Sequence, residues 1–183
     1  AGTLDPLATG LLVICTGKMT KQINAFQAQI KEYTGTITLG STTPSFDLET
    51  EVDRTFSTKH ITEQLVDETA KQFIGDIEQY PPVFSAIKKD GKRLYEFARE
   101  GKSVDIKPRT IHVSEFEITR FENNEVDFRV VCSKGTYIRS LANDFGKALQ
   151  SGGHLSVLRR TKIGDFHVDN ALSIENFTDS LFH

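Results

Sequence analysis

The side chains best placed to do chemistry in this 183-residue chain stand at its beginning, in Gly2-Thr3-Leu4-Asp5-Pro6-Leu7-Ala8-Thr9-Gly10. One carboxylate, Asp5, sits in a turn built from Gly and Pro. The apolar run Leu11-Leu12-Val13-Ile14-Cys15 follows at once. A carboxylate held by a stiff loop against apolar chain has two uses. It caps a helix, for which Asp followed by Pro is the usual local pattern, or it is an aimed nucleophile or base. On local grounds the cap is the better reading.

Arg139 is the second candidate. Ile138, Leu141, Ala142, Phe145 and Leu149 recur at helical spacing, which puts Arg139 in the first turn of a helix starting near Thr136. That end of a helix disfavours cations, yet Lys134 stands just before it. Two cations there ask for an anion, either a carboxylate of this protein or a phosphate. An exposed arginine tolerated at small cost weighs about equally. Tyr33, beside Lys31 at the entry to a strand, reads locally as a core tyrosine with its hydroxyl at the edge. His60, His112, His154, His167 and His183 show no metal-ligand spacing, and Cys15 and Cys132 alone make no zinc site. With no phosphate-cradling glycine loop and no dinucleotide fingerprint, the expected chemistry uses neither cofactor nor metal.

The elements that must position these residues follow from periodicity. Leu11 to Cys15 predicts a short buried strand, Lys18 to Gln27 a helix, and Tyr33 to Leu39 a half-buried strand. Gly40 to Asp53 is polar and predicts a loop. Thr62 caps a helix that ends before Gly75. Pro81-Pro82 starts an extended piece, Val83 to Ile87, and Arg93 to Glu100 predicts a helix stopped by Gly101. Ile111 to Ile118 predicts a strand with a bulge between its two apolar pairs. Asn123-Asn124 turns the chain into a return strand, Val126 to Cys132. A short strand near Leu155 to Leu158 and a helix capped by Ser173 close the chain. Strands and helices mix without regular alternation, so the fold class is α+β with a mixed, mainly antiparallel sheet flanked by helices and loops.

Bulk properties set the outer limits. The length suits one sizeable core. A net charge of -3 argues mildly against gripping nucleic acid by overall charge. The basic groups Lys88, Lys89, Lys92 and Arg93, and Arg159, Arg160 and Lys162, read by composition as solvated faces. No run is long and apolar enough to span a bilayer, no secretory leader is visible, and the cysteines read as reduced thiols of a cytoplasmic protein. The opening Ala-Gly-Thr, without Met, reads as a cut or processed N-terminus.

Together these segments resemble the TruB family of tRNA pseudouridine synthases. Ala1 to Gly10 resembles that family's catalytic loop, which makes Asp5 the implied nucleophile. Lys31-Glu32-Tyr33 is similar to the segment whose tyrosine lies against the target base. Tyr80-Pro81-Pro82-Val83-Phe84-Ser85-Ala86-Ile87-Lys88 resembles a second motif, and Gly91 to Gly101 an RNA-gripping insertion. Cys132 to Leu141 resembles the motif whose arginine, here Arg139, pairs with the nucleophile. Gly153 to Arg160 resembles the motif that supplies an apolar residue, Leu158, to the base pocket.

The resemblance implies a pseudouridine synthase fold, with residues 1–183 as one catalytic domain lacking its first strands. It also implies an insertion around residues 84–104 and no recognisable C-terminal RNA-binding domain. Catalytic roles are implied for Asp5, Tyr33 and Arg139, and substrate contacts for Asp47, Tyr137 and Leu158. Lys88, Lys89, Lys92, Arg93 and Arg99 are the implied phosphate contacts. The implied partner is the T-arm of tRNA, met by a monomer without protein partners or cofactor. The sequence departs from the family pattern at Phe84, where tyrosine is commoner, and in Thr42 to Asp47. The rival readings are a tRNA-folding chaperone and the core of an RNA-guided synthase.

Overall fold

Alternation from Lys31 to Leu39 and from Glu125 to Cys132 builds the middle of a seven-stranded sheet. The computed structural model describes residues 1–85, 88, 89, 92, 93, 96 and 106–181. In chain order these form β1 (Thr9–Gly10), α1 (Ile23–Ala28), β2 (Lys31–Leu39), β3 (Ser41–Thr42), β4 (Arg54–Thr55), α2 (Glu63–Lys71) and β5 (Gly75–Gln79). Then come β6 (Lys88–Lys89), β7 (Lys92–Arg93), β8 (Arg109–Glu122), β9 (Glu125–Cys132), α3 (Ile138–Ala148), β10 (Gly153–Ile163), β11 (Phe166–His167) and α4 (Ile174–Ser180). The sheet runs β1-β10-β2-β9-β8-β5, with β11 paired to β10. Only the β1–β10 contact among these is parallel. The α+β class expected from the sequence is what the chain adopts.

One face of the sheet carries Ile37, Leu39, Val113, Phe116, Val126, Phe128, Val130 and Cys132, all buried. Helices α2 and α3 cover it with Val66, Ala70, Leu141, Ala142, Phe145 and Leu149. Phe116 meets Phe145 and Phe128 edge-on at 5.6 and 5.8 Å between ring centroids. Burying each such ring contributes about 2–3 kcal/mol. Gly35 lets β10 cross β2 closely, since a Cβ there would stand 2.4 Å from the Val157 carbonyl oxygen. This core fixes β2, β10 and the start of α3, and those three carry the site.

Several expectations hold: Thr62 and Ser173 accept from the N–H groups of Leu65 and Asn176, and the bulge after Val113 is present. Others need correction. Leu11 to Cys15 is not a strand. The ladder stops at Gly10, because the Leu11 carbonyl goes to the Arg160 side chain instead of to backbone. Leu12 and Ile14 stay exposed beside Phe166, Ile174 and Phe177. The Gly40–Asp53 loop contains β3, which pairs with β4. Residues 17–27 begin as a 3-10 turn, Gly17–Gln22, before α1. Residues Val83 to Ser85 bend and do not form a strand. Lys88–Lys89 and Lys92–Arg93 form a two-stranded hairpin. Of the expected 93–100 helix, Arg93 lies in β7, and residues 94, 95 and 97–100, Arg99 among them, lie outside the described residues. Strand β5 escaped the reading because Gly-Asp-Ile-Glu-Gln has the right period with one apolar residue.

Candidate active site

The loop carrying Asp5 is anchored to β10. The Ala8 N–H donates to the Asp5 carbonyl at 2.9 Å, closing a turn over Pro6 and Leu7. No helix follows, so the local cap reading of Asp5 fails. Gly10 has φ +102°, and a Cβ there would lie 2.2 Å from the Arg160 carbonyl oxygen. Arg160 is 1% exposed. Its Nε–H donates to the Leu11 carbonyl at 2.8 Å and its Nη2–H to the Gly2 carbonyl at 3.0 Å. One guanidinium therefore holds the loop on both sides of Asp5. The expected solvated face is split: alternation turns Arg159 out and Arg160 in, and the register shift after Arg160 turns Lys162 out.

Helix α3 begins at Ile138, so Arg139 lies in its first turn and is 3% exposed. Its Nε–H and Nη2–H donate to Asp5 Oδ2 and Oδ1 at 2.9 and 2.8 Å, a two-pronged contact matched to the carboxylate plane. Its Nη1 donates to the carbonyls of Phe84 at 2.9 Å and Ser45 at 3.3 Å. Asp47 Oδ2 lies 3.7 Å from Nε, so the guanidinium has a carboxylate on two sides. A cation at the unfavourable end of a helix is thus explained by the anions it meets. Asp5 keeps 28% of its side chain exposed, so the pair is buried on the arginine side and open on the carboxylate side.

Asp47 is buried and braced. Thr43 Oγ1 and Ser45 Oγ donate to its carbonyl, and its Oδ1 accepts the Glu49 N–H at 3.0 Å. Between them Phe46 takes φ +64°, a left-handed conformation that costs a non-glycine residue about 1–2 kcal/mol. The strain is held in a loop that presents the Ser45 carbonyl and Asp47 to Arg139.

Tyr33, Tyr137 and Leu158 join Asp5 around a cleft of about 80 Å³. It adjoins a groove of about 560 Å³ edged by Lys31, Arg109, Lys134 and Arg160. Burial pushes the Tyr33 phenol above its ordinary pKa, and the charge and hydrogen bond of Arg160 offset this in part. Burial first, and then Arg160, pull the Lys31 ammonium below its usual range. The structure thus brings together Asp5, Tyr33, Asp47, Tyr137, Arg139 and Leu158. The backbones of Lys88, Lys89, Lys92 and Arg93 lie in the β6–β7 hairpin. Sequence reasoning missed Arg160 and the wholly buried Gln79, which bonds the backbone of Tyr137. For Arg160 the signal was strand parity with Leu158; for Gln79 it was its place at an inward position of β5.

Residues 1–138 match the model for "TruB family pseudouridylate synthase (N terminal domain)", and residues 139–183 match that for "tRNA pseudouridylate synthase B C-terminal domain". The boundary falls one residue inside α3, and helix and site run across it. Proteins named tRNA pseudouridine synthase B are 67% identical in Flavobacterium johnsoniae and 54% identical in Bacteroides fragilis. Those matches cover 99% and 98% of this chain, and 79% and 77% of the relatives. A solved Cbf5-Nop10-Gar1 complex aligns with TM-score 0.73 at 28% identity over 99% of this chain. An H/ACA RNP bound to a substrate RNA containing 2'-deoxyuridine aligns with TM-score 0.71 at 27% identity, also over 99% of this chain. The chain spans less than half of each of those two, 45% and 43%.

Proposed function

Because this chain belongs to the TruB family of pseudouridylate synthases, we propose that it converts a uridine in the T-loop of tRNA to pseudouridine, with Asp5 as nucleophile. The observation that carries the reading is the Asp5–Arg139 contact, opening on a cleft walled by Tyr33 and Leu158. The reaction breaks N1–C1′, turns the uracil, joins C5 to C1′, removes the C5 proton and returns a proton to N1. Nothing is oxidised or reduced, and no cofactor is required. A carboxylate oxygen that accepts one bond from Arg139 keeps a lone pair for attack, at C1′ or at C6 of the base. Arg139 aims Asp5 through two charge-assisted bonds in the plane of the carboxylate.

The target base must leave the T-loop stack to enter the cleft. Tyr33 is placed to stack on it, a contact worth about 1–3 kcal/mol in comparable cases. Leu158 excludes water from the other side. Phosphate contacts fall to Arg109 and Lys134 along the groove and to Lys88, Lys89, Lys92, Arg93 and Arg99 on the insertion. Local basic groups serve here where net charge does not. Action as a monomer, in the cytoplasm and without a protein partner, belongs to the same proposal.

The likeness to Cbf5 in an H/ACA RNP favours a second reading, the core of an RNA-guided synthase. The bacterial relatives support the first, being named for tRNA and much closer in sequence. Incubating the intact protein with an unmodified tRNA transcript and mapping pseudouridine decides between them. Product at one T-loop position without any guide RNA is expected; a requirement for a guide RNA supports the second reading, and no product under either condition overturns both.

A further inference from the structure

Gln79 is the last residue of β5 and only 1% exposed, yet its amide belongs to no ladder. Its Nε2–H donates to the Tyr137 carbonyl at 3.0 Å, and its Oε1 accepts the Tyr137 N–H at 2.8 Å. The side chain thereby imitates two rungs of a strand against the residue that opens α3. Its orientation is unambiguous, since a backbone N–H only donates and a carbonyl only accepts. The helix has no cap of its own, because Tyr137 stands at the N-cap position and its side chain makes no capping bond. Two more bonds tie the same stretch to the first turn of α3: Ser140 Oγ donates to the Tyr80 carbonyl at 2.7 Å, and Arg139 Nη1 to that of Phe84.

We infer that Gln79 is a positioning residue for the reaction: its amide sets the start of α3 and, through it, the aim of Arg139 at Asp5. The inference rests on the pseudouridine synthase reading. A residue that only filled space at the end of β5 would be apolar. Burying an amide is tolerated here because both its polar atoms are paired, and the groups it pairs lie two residues before the arginine. A leucine would keep the volume and release the tie.

The test uses the intact protein with a tRNA transcript, following single-turnover rate, tRNA affinity and cooperative unfolding. Gln79→Leu is expected to slow the chemical step about 100-fold, the scale of a misplacement of about 1 Å, with affinity within about threefold. Gln79→Glu adds a readout that lost packing would not move. Protonated, the carboxyl accepts the Tyr137 N–H and donates to its carbonyl as the amide does; ionised, it repels that carbonyl. The ratio of variant to wild-type rate is therefore expected to rise about tenfold or more as pH falls from about 8 to about 5.5. A flat ratio overturns the inference, as does a rate loss matched by lost tRNA affinity. Should the leucine variant unfold, the glutamate series decides alone. A wild type that makes no pseudouridine overturns the reaction reading and this inference with it; an active wild type beside unaffected Gln79 variants overturns only the inference.

Discussion

Two arginine clusters on this sheet use the same chemistry to opposite ends. On the solvent face Arg129 reaches Glu32, Glu115 and Glu117, and Arg120 reaches Glu122, Glu125 and Asp127. Across the sheet Arg139 holds Asp5 with two bonds and two backbone carbonyls with the rest. By number of ion pairs the outer cluster is the richer. By exposure the ranking reverses, because Arg129 and Arg120 keep 30% and 40% of their side chains in solvent and Arg139 keeps 3%. Exposed pairs are screened and contribute about 1 kcal/mol or less each, whereas a buried guanidinium must have every partner in place. What sets Arg139 apart is that it cannot choose a different geometry.

Breaking the pair from the carboxylate side should have the largest effect. Asp5→Asn keeps the shape but offers Arg139 one acceptor oxygen in place of two, and it removes the nucleophile. Pseudouridine formation should fall by about 10⁴-fold or more, with tRNA affinity within a few-fold. Measurable turnover with a rate near wild type would remove Asp5 from its role. Breaking it from the other side should cost less. Arg139→Lys keeps a charge and loses the fork, leaving the Ser45 and Phe84 carbonyls without their donor. A drop of about 100-fold in single-turnover rate is expected, at little change in affinity. If the loss lies mainly in affinity and grows as salt is lowered, Arg139 is a phosphate contact.

The same contrast explains what the sequence could disclose. Local chemistry did not disclose Asp5, Tyr33 and Arg139: Asp5 read as a helix cap, Tyr33 as a core residue, and Arg139 as even between an anion partner and an exposed cation. The family resemblance, carried by several motifs in order, is what marked all three. The core strands were legible because Val126 to Cys132 alternate cleanly. Arg160 was not, since its neighbours Arg159 and Lys162 made it look like part of a solvated run. Its burial is decided by carbonyls of Gly2 and Leu11, far away in the chain. Gln79 was hidden for the same reason: its partner, Tyr137, is separated from it by the strands β6 to β9. Strand β10 was read too short because charged residues interrupt its apolar positions and two register shifts, after Leu155 and after Arg160, break its alternation. Nonlocal hydrogen bonds to backbone leave no composition signal.

Tyr33 tests the comparison within the buried half. Its phenol is held above its ordinary pKa by burial, so it stays protonated past about pH 10 and is a poor base at neutral pH. Tyr33→Phe keeps the stacking face and loses the bond to Arg160. A fall of about 10- to 100-fold in rate is expected, with the ratio of wild type to variant constant between about pH 7 and about 9. A wild-type rate that climbs tenfold per pH unit in that window, and does so only with the hydroxyl present, would make the phenolate the working base. The sign for stability is also set. A raised folded pKa means full stability below about pH 10, lost as pH rises through the folded value.

The outer cluster should give the smallest effect. For Glu32, burial alone would raise the carboxyl pKa, but hydrogen bonds from Thr161 and Arg129 overcome it and hold the group below its usual range. The Asp127 carboxyl is lowered chiefly by its bond from Arg120, against the opposing effect of burial. Depressed folded values stabilise the protein above the ordinary carboxylate range, and that gain disappears as pH falls through them. Arg129→Gln should therefore cost about 1 kcal/mol near neutral pH in dilute buffer, and less in about 1 M salt. It should flatten the acid side of the stability curve, because Glu32 loses one of the two bonds that lower its pKa, and leave the rate of pseudouridine formation unchanged. Chemical denaturation at two salt concentrations and two pH values measures all of this. A salt-independent loss of several kcal/mol, or a slowed reaction, would show that the solvent face is wired to the core as tightly as Arg139 is, and the contrast between the two clusters would fail.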